Sequence, residues 1–308
     1  MAMKLAFLAA VLAAGALVWV GVDPNDFSLG TKSERPDRSG AASSAPPIGA
    51  LKTGWVYTDE KGLRVFLDDF ERSYVVEEAA RPDKSASLNW WVSSGGYFFS
   101  EGGIARGVIG ELELSNPWRR RYEQSNPKDT DGGIHPQNIF RLVERGFWGD
   151  YEQSVYAKVL RINESESKNR NFTNGLYLFN RYKDENNLYY TGLRVDGFAE
   201  IKKKIDGEYY TLVETPAFPN MPPRGRGARP NQIPLEKWVG IRSVVKTIDD
   251  GVSISFYLDL NQTGEWQLAA RAVDQGVGGP PFISAGHAGL RTDFMDVEFN
   301  DYLIREIR

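Results

Sequence analysis

The chain has 308 residues, 12% aromatic and 25% charged, a balance that fits a folded domain and excludes a disordered or collagen-like chain. Its net charge of −4 offers no concentrated basic surface for nucleic acid. Cysteine is absent and histidine occurs twice, which excludes disulfides, thiol chemistry and any multi-histidine metal centre.

At the start, Lys4 precedes an unbroken run of apolar or small residues, Leu5 to Val22, followed by Asp23 and Asp26. Export machinery reads this pattern. Residues 1–22 fit a cleaved signal peptide, with Ala14-Gly15-Ala16 as its cleavage region. They fit equally an N-terminal apolar helix that anchors the chain, because about 18 residues just span a ~30 Å hydrocarbon core. A membrane is then a partner through residues 5–22. On either reading the remainder is extracytoplasmic. Residues 23–50, rich in Ser, Ala, Pro and Gly over their second half, predict a flexible linker.

From residue 51 to 308 the pattern is all-β, with no amphipathic helix. Short runs rich in Val, Ile, Tyr and Phe recur between turn signals. Strands are predicted over 62–67, 104–114, 138–144, 153–162 and 175–182. More follow over 188–195, 198–205, 208–213, 238–247, 252–258, 265–273 and 295–306.

Asp196-Gly197, Asp206-Gly207 and Asp250-Gly251 each separate two such runs, and Asp-Gly suits the positive φ angles of a two-residue hairpin turn. Taken as two-residue loops, the first two set Thr191 opposite Lys202 and Lys204 opposite Tyr209. Alternation then gathers Tyr189, Thr191, Lys202, Lys204 and Tyr209 on one face. That face would suit a glycan: tyrosine rings stack on the C–H faces of sugars and lysines bond hydroxyls or acids. The stretch 216–234, rich in proline and carrying Arg224, Arg226 and Arg229, predicts a long loop able to gather a carboxylated or sulfated polymer.

Several segments together resemble the concanavalin A-like lectin/glucanase superfamily, LamG-like jelly rolls of two antiparallel sheets. They are Phe66-Leu67-Asp68-Asp69-Phe70, Trp90-Trp91, Gly95-Gly96-Tyr97-Phe98, Asn187-Leu188-Tyr189-Tyr190, Gly286-His287-Ala288-Gly289-Leu290-Arg291 and Val297-Glu298-Phe299-Asn300-Asp301-Tyr302. The resemblance covers about residues 62–308. It implies a jelly-roll β-sandwich whose opening and closing strands lie together, with Asp68, Asp69 and Asp301 as candidate ligands of a structural calcium.

The resemblance also frames the chemistry. A glycoside hydrolase on this fold carries two carboxylates on one strand, for which Glu111 and Glu113 are the candidates, although Ser115 stands where a laminarinase-like pattern has its second acid. A uronate polysaccharide lyase needs a Tyr or His base and groups that stabilise a developing negative charge. His135, Gln137, Arg141, Tyr177 and Arg181 are the residue types for it, although the Arg-x-Glu-x-Arg and Gln-x-His motifs of alginate-lyase-like proteins are missing. The leading expectation is a carbohydrate-binding module without catalysis. A polysaccharide-degrading enzyme, lyase before hydrolase, is the alternative, and an adhesion protein the third.

Overall fold

Alternating Val, Ile, Phe and Tyr residues build two antiparallel sheets that close over one apolar core. The computed structural model describes residues 51–218 and 232–308. The apolar run 5–22, the linker 23–50 and Arg224, Arg226 and Arg229 lie outside the described residues. Among the described residues no helix is long and apolar enough to cross a membrane.

Seventeen strands run in chain order: β1 (Trp55–Thr58), β2 (Arg64–Asp68), β3 (Tyr74–Glu77), β4 (Trp90–Ser94), β5 (Tyr97–Glu101), β6 (Ile104–Arg106), β7 (Arg141–Trp148), β8 (Tyr151–Ile162) and β9 (Gly175–Asp184). Then come β10 (Asn187–Arg194), β11 (Phe198–Ile205), β12 (Glu208–Pro216), β13 (Trp238–Ile248), β14 (Gly251–Asp259), β15 (Gln267–Asp274), β16 (Gly286–Thr292) and β17 (Met295–Glu306). One sheet of ten strands has the order β15-β14-β13-β8-β17-β6-β5-β3, with β2 joining at β17 and β1 pairing β2. The other has seven, ordered β12-β11-β10-β9-β16-β7-β4. The opening strand β2 and the closing strand β17 pair, with Asp68 opposite Tyr302.

The core follows from the period of two. Val155, Ala157 and Val159 of β8, Ile254, Phe256 and Leu258 of β14, and Phe299, Tyr302 and Ile304 of β17 point inward from the large sheet. Leu176 and Leu178 of β9, Leu193 of β10, Ile201 of β11 and Trp90 and Val92 of β4 meet them from the small one. Between the sheets, buried Asn180 accepts from Gln153 Nε2 (2.8 Å) and Ser243 Oγ (2.7 Å), while Tyr302 donates to Gln153 Oε1 (2.8 Å). These polar groups satisfy one another, as burial demands.

Three expectations need correction. The predicted strand 104–114 stops at Arg106, and a helix, α1 (Pro117–Ser125), follows where none was expected. Its start is local: the Asn116 side chain accepts from the Trp118 backbone N–H (2.8 Å) and Pro117 takes the first turn, where its missing N–H costs nothing. Second, the Asp196 hairpin has a three-residue loop, with Gly197 at φ 78°. Leu193 therefore faces Ala199 and Thr191 faces Ile201, one residue away from the two-residue register. Third, the turn between β13 and β14 is Asp249-Asp250, because Ile248 pairs with Gly251.

Candidate functional site

The shifted register rearranges the expected face. In a strand pair, a slip of one residue sends every side chain to the other side. Tyr189 and Thr191 therefore point into the core, fully buried, and Thr191 Oγ1 accepts from Asn180 Nδ2 (3.2 Å). The Asp206-Gly207 turn does hold two residues, so Lys202, Lys204 and Tyr209 stay together on the outer side, opposite Thr211, Tyr209 and Lys204 respectively. Tyr190, not Tyr189, is their companion there.

Across the seven-stranded sheet this outer face reads as cross-strand rows. Trp91, Val143, Gly289, Phe179, Tyr190, Lys202 and Thr211 form one row, from β4 to β12. Arg141, Arg291, Tyr177, Gly192, Glu200 and Glu214 form the next. Gly192 is required here, since a Cβ would stand 2.3 Å from the Tyr177 ring. Aromatic contacts continue across the rows: Phe147 to His287 (4.3 Å between centroids), His287 to Tyr182 (6.4 Å), Tyr182 to Phe179 (5.3 Å), Phe179 to Tyr190 (5.5 Å) and Tyr190 to Tyr209 (5.9 Å). The middle of this track is buried, whereas its ends, Phe147 at 62% and Tyr209 at 49% exposure, present open ring surface.

Charge concentrates beside the track. Arg141 and Arg291 stand directly opposite each other on β7 and β16. Arg291 Nε bonds Asp293 Oδ1 (2.8 Å), and its guanidinium lies 5.4 Å from the Tyr190 ring centre. Arg141 is half-buried and has no hydrogen bond or ion pair among the described residues. Two adjacent arginines with one carboxylate between them favour an added anion, because like charges in direct cross-strand positions repel. Lys202 is already matched by Glu200 (2.8 Å), and Lys204 donates to the Glu185 carbonyl (2.9 Å).

Burial raises the phenols of Tyr177, Tyr182 and Tyr190 on this face, whereas that of Tyr209 is lowered. Burial alone would raise its phenol, but the Arg291 charge and hydrogen bond, followed by Lys204 and Tyr190, more than offset that and bring it down to about 8. Arg291 and Tyr209 sit on strands with three others between them, roughly 19 Å apart in a flat sheet. The action of Arg291 on Tyr209 over that span fits a sheet curved with this face concave.

The other expected residues are dispersed. Of the lyase set, Arg141 and Tyr177 reach the concave face, but Tyr177 is buried and its hydroxyl donates to the Thr173 carbonyl (2.6 Å). Arg181 is fully buried, held by Asp150 (2.7 Å), Thr247 and the Phe282 carbonyl. His135 Nδ1 pairs with Asp131 (2.9 Å), and buried Gln137 donates to Gly110 and Asp296, in loops away from the face. Glu111 and Glu113 lie in an irregular segment, not on one strand. Asp68 is buried and accepts from Tyr74 (2.7 Å), Trp90 Nε1 (2.7 Å) and the Phe70 backbone (3.1 Å), and burial raises its carboxyl to about 6. That carboxylate is spent on the core and does not fit a calcium ligand. Asp69 Oδ1 accepts from the Glu71 N–H (3.3 Å), and Asp301 sits at φ 51° beside the β17 irregularity. Among the described residues no three His, Cys, Asp or Glu converge on a metal position.

Sequence reasoning missed Arg291, Tyr190, Tyr182, His287 and Phe147 as members of one face. The signal was alternation in GHAGLRT, where His287, Gly289 and Arg291 share a side.

No protein-family model and no curated protein matches the chain. Among solved structures it is similar to the carbohydrate-binding module CBM66 from Bacillus subtilis, with TM-score 0.41 and 13% identity over 69% of this chain and 92% of that one. It is similar also to a mutant of the GH43 protein BlXynB from Bacillus licheniformis, with TM-score 0.44 and 12% identity over 82% of this chain and 46% of that one. A third is the Ca2+-bound exoplasmic/lumenal domain of VIP36, with TM-score 0.41 and 10% identity over 79% and 92%.

Proposed function

We propose that the chain is an extracytoplasmic polysaccharide-binding module, tethered or secreted through residues 1–22, whose ligand lies in the concave face of the seven-stranded sheet. The observation that carries this is the cross-strand pair Arg141 and Arg291 beside the Tyr190–Tyr209 rings. Exposed Tyr209 and Phe147 offer stacking surfaces at the two ends of the aromatic track, and the arginines suit a carboxylate or sulfate carried by the glycan.

A lyase reading has one specific support, the Tyr209 phenol brought down to about 8 next to Arg291. A phenolate there would take the proton beside a uronate carboxylate, and the arginine would hold the negative charge that develops.

The test is retention of the full-length protein on neutral, uronate and sulfated polysaccharides, with new reducing ends and unsaturated-uronate absorbance followed together. Binding predicts retention on acidic polymers that weakens with salt, and a loss on the order of tenfold for Arg141→Gln or Arg291→Gln. New reducing ends with the unsaturated band would transfer the assignment to a lyase. Absence of retention and of cleavage would end both readings.

A further inference from the structure

Strand β7 leaves the regular ladder at the rim of the concave face. Ala288 of β16 pairs with Glu144 but Gly286 pairs with Trp148, so β7 takes four steps where β16 takes two. Bulges re-aim side chains, and this one is built from inside. Glu144 is 2% exposed, and its Oε2 accepts from the Gly146 N–H (2.9 Å) and Trp148 Nε1 (2.6 Å). Gly146 is required, since a Cβ there would lie 2.9 Å from that oxygen. Arg64 Nη2 donates to the Phe147 carbonyl, and the same guanidinium stacks 3.9 Å from the Trp148 ring centre.

The bulge has two effects on its outer side. It holds the Phe147 ring 62% exposed, with its centre 4.3 Å from that of His287. It also brings the Gly146 carbonyl to 3.0 Å from His287 Nδ1. A carbonyl only accepts, so Nδ1 carries the proton of the neutral ring and Nε2 keeps a bare lone pair. The imidazole is half-buried, and its Nε2 is unbonded without being sealed from solvent. Burial lowers the ring below its ordinary pKa, Arg145 adds to this, and the bonds to the Gly146 and Glu144 backbone only partly offset it. At pH 7 the ring is therefore neutral. Arg141 and Arg291 are donors only, whereas His287 offers an acceptor. It stands four residues from Arg291 along β16, about 13 Å in an extended strand.

We infer that His287 is a specificity-determining residue of this face, whose Nε2 accepts a hydroxyl proton from a sugar unit lying beside Phe147. This role rests on the binding function proposed above and adds to it. The separation from Arg291 exceeds one sugar ring, so His287 reads a different unit from the one whose acid the arginines hold. Phe147 gives the C–H groups of that unit an apolar neighbour. Protonation places a proton on Nε2 and turns the acceptor into a donor, so binding weakens as pH falls through the His287 titration. Plain attraction of an acidic polymer to an imidazolium has the opposite sign. The other titratable and charged groups around the ring are Arg145 and Glu144 of β7 and Tyr182 of β9. Burial raises Glu144 to about 7 and Tyr182 to about 12.

The experiment uses the full-length protein, whose two histidines are told apart through His135→Gln. Ring-nitrogen NMR reads the tautomer and the titration of His287 itself, which separates it from that of Glu144. Retention on sodium polygalacturonate, sodium alginate and chondroitin sulfate is measured from about pH 5 to about pH 7.5, where the glycan acids stay ionised. The expected results are a proton on Nδ1 and a retention that falls on the order of fivefold as His287 protonates. His287→Phe should bind on the order of fivefold more weakly at the upper pH and lose that step. If His287→Phe does not fold, the tautomer and the step in the unmutated protein decide. A neutral ring with its proton on Nε2, retention that does not fall as His287 protonates, or undiminished retention by His287→Phe overturns the role of His287 alone. An unmutated protein retained on none of the polymers removes the binding function with it.

Discussion

Lys203 Nζ stands 2.9 Å from Asp274 Oδ2, and both side chains are fully enclosed. The ammonium also donates to the carbonyls of Val277 (3.0 Å), Gly279 (2.6 Å) and Pro280 (2.9 Å). Asp274 in turn accepts from the Tyr189 hydroxyl (2.5 Å) and from the Gly276 and Val277 N–H groups. Every polar atom of the pair is matched, so a charge has been placed where β11 would otherwise carry an apolar residue, and it ties that strand to the connection between β15 and β16.

Lys203→Met is expected to cost about 3–5 kcal/mol, because it leaves the Asp274 carboxylate buried without its cation. Lys203→Met with Asp274→Leu should recover much of that loss. Urea unfolding of the single and double variants measures both, and a single variant as stable as the parent would refute the role given to the pair. The Asp274 carboxyl is raised by burial, but the Tyr189 and Lys203 bonds bring it below its ordinary value. Its contribution is thus complete above the unfolded pKa of about 3.9 and fades as pH falls through the lower folded value.

Glu144 has the opposite sign. Burial raises it to about 7, against the bonds from Trp148 Nε1 (2.6 Å) and the Gly146 N–H (2.9 Å). The folded state holds this proton more tightly than the unfolded chain, so stability is greatest below pH 4.5 and declines as pH climbs towards 7. A single such group changes stability by at most ~1.4 kcal/mol per pH step of one. Asp68, raised by burial to about 6, adds to the lower part of the decline. Glu144→Gln is expected to leave only the part below about pH 6, as read from unfolding midpoints across that range. An unchanged profile in the variant would place the titrating group elsewhere.

A tyrosinate absorbance with midpoint near 8 should be visible in the native protein and absent from Tyr209→Phe. Arg291→Gln removes the charge that most favours the phenolate, so the Tyr209 midpoint should move upward. If the native spectrum shows no tyrosinate before the ordinary phenol range, the electrostatics assigned to the concave face are wrong.

Gly133 has φ 84°, and a Cβ there would lie 2.0 Å from the Arg119 carbonyl oxygen in α1. Gly133→Ala is therefore expected to cost about 2–4 kcal/mol, combining left-handed strain with displacement of backbone. Trp118 and Tyr122 pack on the buried side of α1, so near-ultraviolet dichroism should report the loss.

The strand pattern was legible because apolar alternation is a direct imprint of a half-buried sheet. The Asp206-Gly207 hairpin kept its expected register, with φ of 50° and 89° at the turn. The same dipeptide at Asp196-Gly197 serves a three-residue loop instead, since Asp-Gly suits both geometries. A warning was present in the side chains. Only the shifted register collects Tyr189, Thr191, Leu193, Ala199 and Ile201 on one inward face, and Lys203 joins them there because Asp274 neutralises it. Short strands such as β1, β3, β4 and β5 lacked enough residues to show a period. The concave cluster was harder still, because it joins Arg141, Tyr190, Tyr209 and Arg291 through sheet order and curvature, which no local spacing encodes.

The pairing of β2 with β17 governs when the protein can exist. Arg64 N–H bonds Glu306 across 242 positions of sequence, and β17 is flanked by β8, β6 and β2 in the middle of the large sheet. A ribosome delivers β17 after the sixteen strands β1 to β16, so the large sheet has a gap at its centre until these residues are made. Contacts this distant in sequence also close slowly. Until β17 pairs, the facing edges of β8 and β2 keep unpaired backbone groups open to other strands, and misassembly competes with closure of the sheet.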